Sequence, residues 1–128
     1  MKGDDYKFGD IFLYQASSHS GDTKIRPGVI CSKDLINISS EVVQIVPFST
    51  NLDVTKNQMS TRRIFPSSAT GLENDSVAMC DKATVIKKTR VKGKRIGHLD
   101  KNHLGTLKTC LKGSHENSPV LIMGAFGA

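Results

Sequence analysis

A chain of 128 residues that is 38% hydrophobic can bury one modest core and is too short for two. Its three cysteines, Cys31, Cys80 and Cys110, are odd in number and lack any Cys-x-x-Cys spacing, which argues against a disulfide framework or a zinc site. The formal charge of +6 favours an anionic partner, and with neither a signal-peptide pattern nor a bilayer-length apolar segment, a soluble cytoplasmic protein without a membrane partner is expected.

Met1 to Lys7 is charged and reads as a frayed start. Gly9-Asp10 then opens Ile11-Phe12-Leu13-Tyr14, a strand buried on both faces or lying across a barrel. Gln15 to Lys24 is a loop by composition, with Ser17, Ser18, Ser20, Gly21 and Asp22 close together, and it is longer than a simple hairpin needs. Next comes Ile25-Arg26-Pro27-Gly28-Val29-Ile30-Cys31. Pro27 biases Arg26 towards extended backbone, Gly28 permits a close approach, and Val29 to Cys31 form the second strand. A planar, permanently charged, forked guanidinium held there suits phosphate, although for this stretch taken alone an Arg that starts a strand and pairs with a nearby carboxylate is the favoured reading.

Lys33 to Ser40 reads as a turn. Glu41 to Phe48 is the clearest strand, rich in β-branched residues, with Pro47 limiting its ladder. Ser49-Thr50-Asn51 places three hydrogen-bonding side chains at its end, a position where turn formation alone favours such residues. Thr61 to Phe65 is predicted as a charged edge strand, Ser76 to Asp81 and Ala83 to Ile86 as two strands or one bent one, and Val91 to Ile96 as a basic strand. From Lys82 through Arg95 no acidic residue interrupts the basic ones, a ribbon that is either a solvated face or a track for a polyphosphate backbone. Asp100 caps a helix carrying Leu104, Leu107 and Leu111 on one stripe, and Gly113 is placed to end it. The apolar tail Pro119 to Met123 packs on the barrel, contacts a partner or is disordered. The fold class is mainly β (α+β), five to seven short strands with one closing helix in a small bent sheet or partly open barrel. One domain at 8–113 is expected, followed by a tail at 114–128.

Four segments occur in an order that resembles the MazF/PemK toxin ribonucleases of bacterial toxin-antitoxin pairs. They are Gly9-Asp10-Ile11, Arg26-Pro27-Gly28-Val29-Ile30, Val46-Pro47-Phe48-Ser49-Thr50, and Asp75-Ser76-Val77-Ala78-Met79-Cys80-Asp81, with His98-Leu99-Asp100 also similar. The resemblance implies an SH3-like barrel of the CcdB/PemK kind with a C-terminal helix, a homodimer, and metal- and cofactor-free cleavage of single-stranded RNA at short sequences. It also implies neutralisation by a cognate antitoxin protein. The family's catalytic Arg falls on Arg26 and its catalytic Thr on Ser49, while His19, Asp22, Pro27, Thr50, Asp81 and Lys82 fall among candidate substrate contacts.

Three departures bear on the chemistry. Many family members carry a Glu five residues before the Arg, where this chain has Gly21, leaving Asp22 or His19 to take over that role. A second mechanism in the family uses Asp as base with Arg two residues before it, but here Asp81 is preceded by Met79 at that position. Asp81 thus also reads as a structural carboxylate holding Arg26 or a backbone amide. Lys82 stands where the family often has Gln, and Thr84 where it often has Arg. His98 and His103 read as packing or capping residues. Other readings are a non-catalytic nucleic-acid-binding barrel and a gyrase-directed toxin of the same fold.

Overall fold

The computed structural model describes residues 6–16, 24–55 and 61–117, the last four as backbone only. Its elements follow in the order β1 (Asp10–Gln15), β2 (Ile25–Ile30), α1 (Asp34–Ser39), β3 (Val42–Ser49), β4 (Arg62–Phe65), α2 (Ser67–Thr70), β5 (Ser76–Met79), β6 (Thr84–Lys87), β7 (Val91–His98) and α3 (Lys101–Asn117). All strand pairs are antiparallel. The order β4-β5-β3-β2-β1-β7, with β6 added on β3, leaves β4 and β7 unpaired with each other. The sheet is therefore the open alternative of the expected barrel.

β3 is the spine because its β-branched and aromatic run is buried continuously from Val43 to Phe48. One flank pairs with β2, and the other is shared by β6 at Val42 to Ile45 and β5 at Phe48 and Ser49. Pro47 has no N–H to extend a ladder, and its pair with Gly28 is the last between β2 and β3. Strand alternation splits the core in two. Ile11, Val29, Val46 and Phe48 pack with Leu107, Cys110 and Leu111 of α3, whereas Phe12, Tyr14, Ile30 and Ile45 gather with Tyr6 in a second cluster.

Two glycines are demanded by this packing. A Cβ on Gly28 would lie 2.8 Å from Ile45 Cγ1 and 2.9 Å from Tyr14 Cε1, so what approaches this glycine closely is the protein's own core. Gly71 closes α2 with φ of +80°, and a Cβ there would sit 3.0 Å from the Ile96 carbonyl oxygen.

Several elements differ from expectation. Lys33 to Ser40 contains a helix, α1, because Asn37 is buried and its Nδ2 donates to the Ser32 carbonyl at 2.9 Å. Ser32 Oγ in turn contacts Asn37 Oδ1 and accepts from Gln44 N at 3.0 Å, a polar knot that ties the helix to β3. Gly113 does not end α3, which runs to Asn117. A helical Gly costs only about 1 kcal/mol relative to Ala, less than the burial of the Leu107 and Leu111 side chains contributes. β2 starts at Ile25, placing Arg26 and Pro27 inside the strand. A 3-10 turn at Cys80–Lys82 separates β5 from β6, so that region is two strands. β7 is irregular: between the pairs Ile11–Gly97 and Leu13–Lys92, β1 spends two residues while β7 spends five.

Candidate active site

Two strand ends define the site. Continuing the β2–β3 register two residues beyond its last pair, Gly28–Pro47, brings Arg26 level with Ser49. Alternation along each strand puts both residues on the same face as Gly28 and Ile45. The backbone of Arg26 is held against Tyr14 of β1, and its side chain is exposed. Ser49 is half-buried and pairs with Val77 of β5. Its Oγ accepts a hydrogen bond from Asn51 N at 3.1 Å, and Asn51 Oδ1 accepts from Asp53 N at 3.2 Å, so the strand end is folded back on itself. With a lone pair committed to that backbone amide, the hydroxyl proton remains for an incoming oxygen. A guanidinium and a hydroxyl carried on facing strand ends can together stabilise a phosphate that gains negative charge.

Pro27 and Thr50 lie on the opposite face by the same alternation. They line a cavity of about 310 Å³ together with Leu72, Asn74 and Ile96. An adjoining cavity of about 520 Å³ shares Thr50 and Asn74 and continues to Leu52 and Asp75. Ile96 belongs to the surplus stretch of β7, which also meets Gly71 after α2.

Asp81 is engaged by Arg62, not by Arg26. Both its oxygens are taken by Arg62, with Nε donating to Oδ1 at 2.8 Å and Nη2 to Oδ2 at 2.9 Å. Arg62 Nη1 also donates to the Val54 carbonyl at 3.0 Å, which ties the 3-10 turn at Leu52–Thr55 to β4. The hydrogen bond from Arg62 holds the Asp81 carboxyl below its usual range, and the same bond raises the Arg62 guanidinium. Sequence reasoning treated Arg62 only as an edge-strand charge. The usable signal was the β4–β5 hairpin, whose register opposes Arg62 to Met79, two residues from Asp81. Lys82 is exposed beside Asp81 on the 3-10 turn at Cys80–Lys82. His19, Asp22 and Gly21 lie outside the described residues, as does the tail from Pro119 to Met123.

His103 serves at the helix cap as expected, whereas His98 neither packs nor caps but is an exposed ring bonded to Asp10. His98 Nδ1 lies 2.6 Å from Oδ1 of the buried Asp10, which also receives Arg95 Nη1 at 3.4 Å and, at Oδ2, Lys7 N at 2.9 Å. Asp100 caps α3 by accepting His103 N at 2.9 Å, with His103 Nδ1 at 2.8 Å. Among the described residues no group of three His, Cys, Asp or Glu side chains is placed to hold a metal ion, and no helix is long and apolar enough to cross a membrane.

A sequence model described as PemK-like, MazF-like toxin of type II toxin-antitoxin system matches residues 7–115. Among solved structures, the Mycobacterium tuberculosis toxin MazF-mt6 superposes with a TM-score of 0.68 at 20% identity, covering 84% of this chain and 96% of that one. An endoribonuclease solved in complex with its cognate antitoxin, from a mycobacterial species, gives 0.70 at 16% identity over 88% and 96% of the two chains. A MazE-MazF structure from Deinococcus radiodurans gives 0.68 at 15% identity over 88% and 97%. At such identities these likenesses establish the fold. No curated protein matches the chain significantly.

Proposed function

Because the chain belongs to the PemK-like, MazF-like toxins of type II toxin-antitoxin systems, we propose that it is a cytoplasmic endoribonuclease, a homodimer that cuts single-stranded RNA at short motifs without metal. A cognate antitoxin neutralises it in this reading, supported by the antitoxin complexes of its structural relatives. The observation that carries the reading is the β2–β3 register, whose last pair Gly28–Pro47, continued two residues further, sets Arg26 across from Ser49.

The reaction needs only groups of the RNA, this pair and water, which takes the proton from the 2′-OH and returns one to the 5′-oxygen. The 2′-OH loses its proton to solvent and attacks phosphorus, the bond to the 5′-oxygen breaks, and that oxygen takes up a proton. The products are a 2′,3′-cyclic phosphate and a 5′-hydroxyl end. Arg26 stabilises the charge that accumulates on the phosphorane oxygens, and its fork fixes their orientation. Ser49 Oγ donates to a phosphate oxygen or orients the 2′-OH. Asp81, held by Arg62, takes no part in proton transfer and supports the turn after Asn51.

Incubation of mixed-sequence RNA with the protein in EDTA should yield fragments with 5′-hydroxyl ends. Arg26→Ala should slow cleavage by about 10²–10³-fold, the usual effect of removing one preorganised charge-stabilising donor. Intact RNA, or cleavage unchanged by that substitution, overturns the proposal.

A further inference from the structure

The cavity beside Pro27 and its neighbour share Thr50, Glu73 and Asn74, so together they form one groove running towards Leu52. The near end of this groove is one residue from each member of the reacting pair, since Pro27 follows Arg26 and Thr50 follows Ser49. At about 310 Å³ the near cavity has the size of a small-ligand pocket. Its walls at Pro27, Leu72 and Ile96 are apolar and suit the face of a flat ring. Its polar lining holds two carboxylates and no cation, which makes the groove a poor place for phosphate. The groove opens on the face opposite Arg26 and Ser49, so a strand with a phosphate at Arg26 reaches it only by turning a neighbouring nucleotide around the ends of β2 and β3, and the lining suits the base of that nucleotide rather than its backbone.

The two carboxylates are not equivalent. Asp75 Oδ1 is already used, accepting Ser67 N at 2.8 Å. Glu73 is exposed, lines both cavities, and makes no hydrogen bond or ion pair among the described residues. A carboxylate presents two adjacent acceptors and no proton. Guanine alone among the four bases offers two adjacent donors on its Watson–Crick edge, N1–H and the N2 amino group. Adenine and cytosine set a ring acceptor beside their amino group, and uracil flanks its single N–H with two carbonyls. Asn74, next to Glu73 on the same wall, carries an amide that can donate to guanine O6.

We infer that this groove is a nucleobase pocket in which Glu73 selects a guanine beside the cleaved phosphate. The inference rests on the endoribonuclease reading, and two measurements keep the two separable. In the first, a randomised RNA pool is cut by the full-length protein and the 5′-hydroxyl ends are sequenced. Guanine should be enriched at one fixed position beside the cut, and Glu73→Gln should reduce that enrichment about tenfold or more while preferences at other positions persist. Cleavage without a guanine preference, or a preference that Glu73→Gln leaves intact, overturns the inference while leaving the activity established.

The second measurement needs no cleavage. Guanosine 5′-monophosphate and inosine 5′-monophosphate, which differ by the N2 amino group, are titrated while the backbone amide signals of Leu72 to Ser76 are followed. Guanosine monophosphate should shift them at lower concentration, and Glu73→Gln should erase the difference between the nucleotides. Equal responses to both nucleotides in the wild-type protein overturn the guanine assignment even if RNA is never cut.

Discussion

Arg62 and Asp81 hold each other through two parallel hydrogen bonds, with side chains only 11% and 25% exposed. Replacing Asp81 by Asn leaves the guanidinium without its counter-charge, and replacing Arg62 by Met leaves the Val54 carbonyl without its donor. Each change should cost about 1–3 kcal/mol, measured as a lower urea midpoint, the partial exposure keeping the loss below that of a fully buried pair. The pH dependence has a definite sign. Arg62 holds the Asp81 carboxyl below its unfolded value, so the contribution is complete above the unfolded carboxyl's pKa of about 3.9 and is lost as pH falls through the lower folded value. Wild type and Asp81→Asn should differ in urea midpoint at neutral pH and converge in acid. Gly28→Ala should lose about 1–3 kcal/mol by overpacking against Ile45 and Tyr14, read as a fall in melting temperature. At this scale the motif order made Arg26 and Ser49 legible as candidates. The partner of Asp81 was hidden, because Arg62 reaches it only through the register of a hairpin whose strands the sequence marks but does not align.

At the scale of elements, α3 is the piece on which the larger core closes. Leu107 and Leu111 are fully buried there, so Leu107→Ala should cost about 2–5 kcal/mol by equilibrium unfolding. Gly105 sits within the helix and a Cβ there would meet nothing within 4 Å, so Gly105→Ala should raise stability by up to about 1 kcal/mol, read by equilibrium unfolding. The leucine stripe and the Asp100 cap announced this helix from sequence because both are local and periodic. α1 escaped notice for the opposite reason. Its six residues carry two exposed apolar side chains, Leu35 and Ile38, and its anchor is the contact between Asn37 and Ser32, which no periodicity reveals.

For the whole molecule, strand identities were readable from β-branched runs, but the branching of β5 and β6 from opposite halves of β3 was not, since pairing partners depend on distant segments. The cysteines report on this global packing. All three are buried thiols in no disulfide; burial pushes the Cys31 thiol up, a hydrogen bond to Cys110 together with burial pushes Cys80 up, and that same hydrogen bond pulls Cys110 down. Burial shields all three, Cys110 included, so a thiol reagent should label none of them in the native protein and all of them in denaturant. The net charge of +6 further predicts RNA binding that weakens steeply with salt, the slope counting the phosphates contacted.

The surplus residues of β7 bear on how such a protein can change. They are absorbed between two intact stretches of ladder, with His98 bonded to Asp10 at one end and Val91 paired with Tyr14 at the other. The stretch that supplies Ile96 to the groove can thus be lengthened, shortened or rewritten while the framework on either side keeps its alignment. If the groove takes a base as proposed, editing this one segment retunes which RNA letters are read, with repacking confined to where Ile96 meets the core and with the proposed pair Arg26 and Ser49 left in place.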